Sequence, residues 1–279
     1  MKVLPFSIPK PENTTLLFQE DRGDNFFAQL HQHEEIQISC ILKGEGTYYI
    51  GDSFGQFKKG DIFAIGQHLP HVFTNQDSGQ GVHMISLFFT LDAYGSGFFD
   101  HPEFSEFQNL FEIVKLGCQL GSNSAESKQI MCDMRNQSAL DRFLSFIELL
   151  QIFSRSRLLP ISSFVIKKRF GEEEGNRMRK IMEFTFAHYD RKLSVSRVAE
   201  IASMTPNAFC RYFKQRTNKT YINFVLEIRI GQACRLLKQR KDLQISEIAF
   251  QCGFNNLTNF NRKFKQFKKL TPSEFRQGG

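Results

Sequence analysis

The sequence predicts an α+β protein of two domains, an N-terminal β-barrel with a helical appendage and a C-terminal all-α domain built on two helix-turn-helix units. Three observations predict it. The last hundred residues contain one pattern twice, the first ninety consist of short apolar segments between glycines, and the net charge changes sign between these regions. A chain of 279 residues is long enough for two domains that each bury a core.

The repeat predicts the architecture of the C-terminal domain. Five residues of the first copy recur 50 positions later, and four residues from its second half recur 51 positions later. A shared offset with one slip in a turn indicates a duplicated structural unit. The matched residues are Leu193, Val195, Ser196, Val198 and Ala199 with Leu243, Ile245, Ser246, Ile248 and Ala249, and Phe209, Arg211, Phe213 and Lys214 with Phe260, Arg262, Phe264 and Lys265.

Each copy is predicted to be a short helix, a tight turn and a longer helix. In the first copy, Thr205 suits the N-cap of the longer helix and Pro206 its first position, where a missing N–H costs nothing. In the second copy, Gly253 suits a left-handed turn and Asn256 suits the N-cap. Ser203 stands at the position of Gly253 in the first copy.

A single helix over 221–240 is predicted to join the two copies. Its length of ~20 residues corresponds to ~30 Å, close to the ~34 Å of one DNA turn. Two reading helices at this spacing could enter successive major grooves on one face of the duplex. One chain would then read an asymmetric site of two half-elements.

The charge distribution predicts DNA as the partner of the C-terminal domain. Residues 177–279 carry 21 Lys or Arg and 7 Asp or Glu, a net charge of +14, whereas residues 1–176 carry a net charge of −7. A small, strongly basic domain is typical of phosphate binding. A membrane is not expected as a partner, because Trp is absent and no basic helix has an uninterrupted apolar face.

The N-terminus and the cysteines predict a cytoplasmic protein. The first residues lack the apolar run of a signal peptide, and no stretch approaches 18 apolar residues. The six cysteines show no metal-binding spacing and are interpreted as reduced thiols.

The first 160 residues predict strands and then helices. Glycines punctuate apolar segments such as 36–42, 46–50 and 61–65, which is typical of a sandwich or barrel. After residue 100 the spacing becomes helical, and an apolar stripe over 136–155 could either cover the barrel or pair with a second subunit. The predicted limits are 1–160 for this domain, 161–176 for a linker and 177–279 for the basic domain.

Histidines carry the candidate chemistry of the N-terminal domain. His31 and His33 alternate along the chain, so both could face one ligand inside a barrel. Together with Gln37 and the later His71 they resemble the two cupin motifs, in which three histidines and a glutamate hold a metal. Gln37 replaces that glutamate, and a neutral amide is a poorer ligand for a divalent cation. We therefore expect no metal or other cofactor, and a pocket lined by these four residues.

The C-terminal residues also resemble a known family. The segments ISEIAFQCGF from Ile245, NFNRKFK from Asn259 and TPSEFR from Thr271 resemble the signature of AraC/XylS transcription regulators, and the resemblance covers about 177–277. The N-terminal part resembles the cupin-like sensory domain of the same family. The resemblance implies a seven-helix DNA-binding domain, and a sensory domain that binds a small effector, often a sugar, and dimerises.

Positions carried over from the family give candidate DNA contacts. Arg pairs with guanine, Asn with adenine, and small side chains leave room for a thymine methyl. Arg211 and Arg262 could instead hold phosphates. The candidates are Asn207, Ala208, Cys210 and Arg211 in the first reading helix with Lys214 nearer phosphate, and Thr258, Asn261 and Arg262 in the second with Lys265 nearer phosphate.

Together these features predict a dimeric, effector-responsive transcription activator that acts on RNA polymerase and has no catalytic activity. Two alternatives stay open. One is a metal-dependent cupin enzyme fused to a DNA-binding domain, which requires a metal on His31, His33 and His71. The other is a DNA-binding protein that responds to no effector.

Overall fold

The structure is a computed structural model that describes residue 8 and residues 14–27, 29–75, 81–121, 124–163 and 172–278. The chain divides into two compact units, with the main boundary between Glu172 and Glu173 and the short segment Phe54–Gln56 grouped with the second unit, and each is described by itself. Half of the predicted linker, 164–171, lies outside the described residues. The limits 1–160, 161–176 and 177–279 therefore stay predictions.

Residues 14–163, as far as the structure describes them, contain nine strands in two sheets. The larger sheet has the order β1-β7-β2-β5-β8-β9 and the smaller sheet the order β4-β3-β6. The predicted sheet-rich N-terminal domain is thereby confirmed. The strands are β1 (Leu17–Gly23), β2 (Ile36–Lys43), β3 (Gly46–Ile50), β4 (Ser53–Phe57), β5 (Ile62–Ile65), β6 (His71–Asn75), β7 (Val82–Phe89), β8 (Cys118–Leu120) and β9 (Leu158–Pro160).

The central strand β2 is buried on both faces because it lies between two cores. Ile36, Ile38 and Cys40 belong to a core that the larger sheet shares with the helices. Ile41, on the opposite face, belongs to a second core with residues of the smaller sheet such as Phe73. Because side chains alternate along a strand, Gln37 and Ser39 also lie on this second face.

Three α-helices, with short 3-10 turns before and between them, form the described part of the appendage: α1 (Gln108–Val114), α2 (Ser124–Asp133) and α3 (Ala139–Arg155). The Ser138 side chain caps α3 by accepting a hydrogen bond from the backbone N–H of Asp141. Phe146, Leu149, Leu150 and Phe153 of α3 are buried in the core beneath the larger sheet. Leu140 and Leu144 on the same helix remain 66% and 57% exposed, so α3 covers the sheet and keeps a second apolar edge.

The sequence prediction missed two strands after residue 100. β8 pairs antiparallel with β5, and β9 pairs with β8, extending the larger sheet by two strands. Each is three residues long. A segment that short shows no alternation that could distinguish it from a loop.

Apart from Phe54–Gln56, the second unit consists of helices. Within residues 172–278 there are seven, which confirms the predicted tandem helix-turn-helix domain: α4 (Glu172–His188), α5 (Val195–Ile201), α6 (Pro206–Thr217), α7 (Tyr221–Gln239), α8 (Ile245–Gln251), α9 (Leu257–Lys268) and α10 (Pro272–Gln277). None of the helices that the structure describes has the length and hydropathy needed to cross a bilayer.

The predicted helix starts and turns are confirmed in both copies. Thr205 caps α6, which begins at Pro206, and Asn256 caps α9. Thr220 and Thr271, which also match across the repeat, cap α7 and α10. The side chain of each cap accepts a hydrogen bond from the backbone N–H three residues later.

Helix α4 begins earlier than the sequence indicated. It starts at Glu172, five residues before Arg177, so 172–176 are helical although they were interpreted as linker. Glu173 and Glu174 lie in its first turn, which suits them because acidic side chains stabilise the positive end of the helix dipole.

Candidate nucleic-acid interface and ligand cavity

Helices α6 and α9 expose polar residues at matching positions. In α6, Asn207, Cys210, Arg211 and Lys214 are all exposed. They follow the spacing i, i+3, i+4, i+7, which places them on one helical face. In α9 the residues 51 positions later have the same spacing and are also exposed: Thr258, Asn261, Arg262 and Lys265. Ala208 lies beside this face and is partly buried.

The opposite faces of these helices fix them in the fold. Phe209 and Phe213 of α6 are completely buried, as are Phe260 and Phe264 of α9. The rings of Phe209 and Phe213 both pack edge-on against Tyr221 at the start of α7, with centroids 5.3 Å away. The polar faces are therefore presented by helices that aromatic packing holds in place.

Asn259 is a residue of this surface that the sequence prediction missed. Its side-chain Oδ1 accepts a hydrogen bond of 2.9 Å from Nη2 of Arg262. The signal was present, since the two residues are three apart and neighbours on one helix face. The bond restrains the Arg262 guanidinium before any contact with DNA.

The four candidate pocket residues of the first unit come together. One ring nitrogen from each of His31, His33 and His71 lies within 4.8 Å of those of the other two. The ring centroids of His31 and His71 are 4.2 Å apart, and those of His33 and His71 are 5.0 Å apart. Gln37 Oε1 lies 3.0 Å from Nε2 of both His33 and His71.

The Nδ1 atom of each histidine is hydrogen-bonded to a backbone carbonyl two residues away. The Nδ1 atoms of His31, His33 and His71 lie 2.8, 2.9 and 2.8 Å from the carbonyl oxygens of Gln29, Glu35 and Leu69. A carbonyl oxygen can only accept, so each Nδ1 carries the hydrogen and donates. A neutral ring in this tautomer has a lone pair at Nε2.

Burial keeps the three rings neutral. It lowers the pKa of His31 to about 4, lowers the pKa of His33, and lowers the pKa of His71 well below its usual range. Desolvation disfavours the charged imidazolium, and neighbouring histidines oppose a second positive charge.

The hydrogen bonds of Gln37 follow from the histidine tautomers. If Nε2 of His33 and His71 can only accept, the group that faces them must donate. Rotating the Gln37 amide by 180° exchanges its oxygen and nitrogen and directs one N–H to each ring. The amide oxygen then accepts from the hydroxyl of Ser39, which lies 2.7 Å from the amide end and 2.8 Å from Ser86 Oγ.

The histidine cluster borders a cavity of about 640 Å³. His31, Gln37 and His71 line it together with the rings of Phe26, Phe27, Phe73 and Phe88. A cavity of this size, with aromatic walls and a few convergent polar groups, is typical of a small-molecule site. Of the four residues predicted to line a pocket, His31, Gln37 and His71 line this cavity and His33 lies with them in the cluster; the aromatic walls were not predicted.

Glu20 of β1 also lines the cavity and was not predicted. Its Oε1 lies 2.6 Å from the nearest nitrogens of Arg22 and His83 and 2.5 Å from Nη2 of Arg135. Burial would raise the pKa of Glu20, but hydrogen bonds from Arg22 and His83 and the charge of Arg135 hold it below its usual value. The cavity therefore contains a carboxylate that stays ionised.

Two family models match the chain over most of its length. A helix-turn-helix domain matches residues 198–278, and an AraC-like ligand-binding domain matches residues 13–113. The first match spans α5 to α10, and the second spans β1 to β7 with all four candidate pocket residues. The two matched regions thus contain the exposed faces of α6 and α9 and the residues of the cavity, respectively.

Two relatives match nearly the whole chain and a third matches about half of it. The HTH-type transcriptional regulator YdeC of Bacillus subtilis is 25% identical over 91% of this chain and 87% of its own length. The Msm operon regulatory protein of Streptococcus mutans is 24% identical over 92% and 88%. The HTH-type transcriptional activator RhaS of Enterobacter is 28% identical over 49% of this chain and 46% of its own. The chain belongs to the AraC family of DNA-binding transcription regulators.

Proposed function

We propose that the protein is a sequence-specific transcription activator of the cytoplasm, controlled by a small-molecule effector and without catalytic activity. The observation that supports this most is the matched pair of exposed faces. The same spacing of exposed residues is found on both helices, in a domain of net charge +14. The residues are Asn207, Cys210, Arg211 and Lys214 on α6 and Thr258, Asn261, Arg262 and Lys265 on α9. Each face would read one half-element of the operator through a major groove.

Helix α7 supports the proposal of two half-elements on one chain. It joins the two copies and has 19 residues, which corresponds to about 28 Å. That length is comparable to one turn of DNA, ~34 Å. An activating role, through contact with RNA polymerase, is supported by the relative RhaS, which is named an activator.

The effector is proposed to enter the cavity beside His31, Gln37 and His71. Aromatic walls can stack on a flat or cyclic ligand, while the amide, imidazole and carboxylate groups can bond to hydroxyls. A sugar has this combination of a ring face and many hydroxyls, so sugars are the first class to test.

A map of bound sites across the genome, combined with an effector screen, tests this function. We expect discrete sites upstream of genes for one pathway, and a substrate of that pathway that raises the melting temperature of the chain. Replacing Phe88 with alanine should reduce that shift, because its ring lines the cavity. Binding spread evenly over the genome would contradict a sequence-specific regulator.

The affinity for operator DNA is expected to fall steeply with salt. Each phosphate neutralised contributes about −0.9 to the slope of log affinity against log salt. Lys214→Ala and Lys265→Ala should each reduce the slope by about 1, while Lys180→Ala, exposed on α4, serves as the control. Fluorescence anisotropy over a salt series measures the slopes. Equal slopes for all three variants would argue against phosphate contacts by α6 and α9.

A homodimer formed through α3 is the proposed assembly. Leu140 and Leu144 lie one helical turn apart, and both are more than half exposed. Leu144→Asp is expected to weaken dimerisation roughly tenfold or more, because each copy loses a buried leucine and gains a charge at the interface. Sedimentation equilibrium measures the effect. Leu159→Asp, at an exposed leucine on β9, should leave it unchanged, and equal effects of the two variants would exclude α3 as the interface.

A further inference from the structure

We infer that the effector of this protein is an amino sugar, whose ammonium group binds the Asp21 carboxylate in the N-terminal cavity. The inference rests on the proposed function, because it names the chemical class that the effector cavity accepts. The volume and the aromatic walls of the cavity suit many small ring compounds. The charges of its lining residues narrow that choice.

Asp21 lies on the face of β1 that is turned toward the cavity. In the pairing of β1 with β7 it stands directly opposite Met84, and Gln19 stands opposite Ser86. Residues opposite each other in an antiparallel pair share one face of the sheet. Met84 belongs to the second core, which includes residues of the smaller sheet. Asp21, Gln19 and Met84 therefore point to the same side, and all three line the cavity.

The negative charge of Asp21 has no opposite charge beside it in the described part of the chain. Its Oδ1 accepts a hydrogen bond of 2.8 Å from the amide of Gln19, which is a neutral donor. None of the ion pairs formed by described residues involves Asp21. A partly buried carboxylate gains most from a partner that brings both a positive charge and N–H donors. An ammonium group supplies both.

The other charged groups of the lining leave the cavity negative. Its described lining contains two carboxylates, Glu20 and Asp21, and one guanidinium, Arg22, which sum to a charge of −1. Arg22 is already bound to Glu20 at 2.6 Å. His31 and His71 add no positive charge, because burial lowers the pKa of both imidazoles and keeps them neutral.

The aromatic walls favour the same class of ligand. The face of an aromatic ring carries partial negative charge and attracts an ammonium group, more strongly where water is excluded. The same rings can pack against the C–H face of a sugar. The rings that line the cavity are those of Phe26, Phe27, Phe73 and Phe88. A sugar ring that bears an amine uses both properties of these walls.

Competing effector classes would meet specific costs in this cavity. An acidic sugar would face Asp21 as a like charge, and it would gain a cation only by separating Arg22 from Glu20. A neutral sugar would bind without compensating the charge of Asp21. The expected order of affinity is therefore amine, then neutral sugar, then acid.

Matched sets of sugars test this order on the full-length protein. Each set keeps one ring and changes its charge: D-glucosamine, D-glucose, N-acetyl-D-glucosamine and D-glucuronate, with the corresponding galactose and mannose compounds. Thermal shift assays rank the compounds, and isothermal titration calorimetry measures the affinities. We expect at least one amine to bind about tenfold more tightly than the hydroxyl and N-acetyl forms of the same ring.

Asp21→Asn removes the charge and keeps the shape of the side chain and its acceptor for Gln19. This variant should lose the preference for the amine and bind the neutral sugar as the wild type does, with an unchanged circular dichroism spectrum. Asp24→Asn is the matched control, because Asp24 is exposed and lies outside the cavity lining. It should keep the preference.

The assignment is overturned if the wild type prefers a neutral or acidic sugar, if Asp21→Asn keeps the preference for the amine, or if no compound of the panel binds. The first of these outcomes would leave the effector cavity itself intact, provided that Phe88→Ala reduces the shift that the preferred sugar produces. Operator binding measured without any sugar shows separately whether the proposed regulator function stands.

Discussion

Gly253→Ser is expected to destabilise the C-terminal unit by about 2–4 kcal/mol, whereas the reciprocal change at the matching position, Ser203→Gly, should shift stability by less than about 1 kcal/mol. The two residues occupy the same turn of the repeat. Both have left-handed backbones, with φ of 81° for Gly253 and 54° for Ser203. Backbone geometry alone would therefore predict similar costs for serine at either position.

The turns close with the same hydrogen bonds. Ser203 and Met204 donate to the carbonyls of Glu200 and Ala199, and the equivalent pairs at Gly253 and Phe254 lie 50 residues later. All four bonds are 2.8 to 3.0 Å long. The expected difference in the cost of serine at the two positions must therefore come from the residues that surround each turn.

The surroundings of Gly253 leave no room for a side chain. A Cβ on Gly253 would lie 2.8 Å from the carbonyl oxygen of Asp190 and 2.9 Å from that of Tyr189. The segment 189–191 cannot shift away easily, because the Arg229 guanidinium donates hydrogen bonds to the carbonyl of Tyr189 at 2.7 Å and to that of Arg191 at 2.6 Å. Ser203, by contrast, is exposed. Serine at 253 would add a steric clash to the left-handed strain.

Urea denaturation followed by circular dichroism at 222 nm measures both variants. Gly253→Ser should lower the midpoint of the helical transition and reduce operator affinity at elevated temperature, while Ser203→Gly should behave like the wild type. Gly60→Ser is a control for left-handed strain alone, since Gly60 has φ of 93° and no atom within 4 Å of its missing Cβ. Equal losses in Gly253→Ser and Gly60→Ser would show that the contact with 189–190 contributes nothing.

Much of this fold could be predicted because local signals and tertiary packing agree. Thr205 and Asn256 cap helices by accepting hydrogen bonds from backbone groups three residues later, and Pro206 begins a helix. Their positions can therefore be predicted from the residues immediately around them. The strands β8 and β9 could not be predicted. They are too short to show a period. β8 forms because β5 offers an edge to pair with, and β9 forms because β8 then offers the next edge.

The two candidate sites also differ in how much of each could be predicted from local sequence. The exposed polar faces of α6 and α9 follow from helical spacing and from a repeat. The histidine cluster joins residues from two parts of the chain, and its tautomers depend on the carbonyls of Gln29, Glu35 and Leu69. Those hydrogen bonds involve backbone groups of any residue type, so no sequence pattern could show them. Glu20 was missed for a related reason, since its partners His83 and Arg135 are distant in sequence.

Arg211→Ala and Arg262→Ala are each expected to weaken operator binding by ~1–3 kcal/mol, or about 5- to 150-fold, without loss of fold. Both side chains are exposed, and neither helix depends on them for its core. Anisotropy titrations at one fixed salt concentration measure the affinities. Arg240→Ala is the matched control, because it removes an exposed arginine of the same domain whose partner is Asp242.

The two arginine variants should also lose sequence preference in different parts of the operator. If α6 and α9 each read one half-element, Arg211→Ala should relax the base preference in one half and Arg262→Ala in the other. Selection of bound sequences from a randomised operator library resolves this. The losses in the double variant should add, because sites without shared partners are energetically independent.

The pattern of relaxed positions separates base reading from phosphate holding. A bidentate contact to guanine is worth ~1–3 kcal/mol of discrimination at one base pair, so its loss flattens the preference there. A phosphate contact lowers affinity for all sequences alike and changes the salt slope. Asn259→Ala would release the Arg262 guanidinium from its 2.9 Å bond. If Arg262 reads a base, this variant should relax the same position as Arg262→Ala to a smaller degree. If both variants keep the wild-type preference, Arg262 holds a phosphate, and the polar neighbours Thr258 and Asn261 must carry the sequence reading of α9.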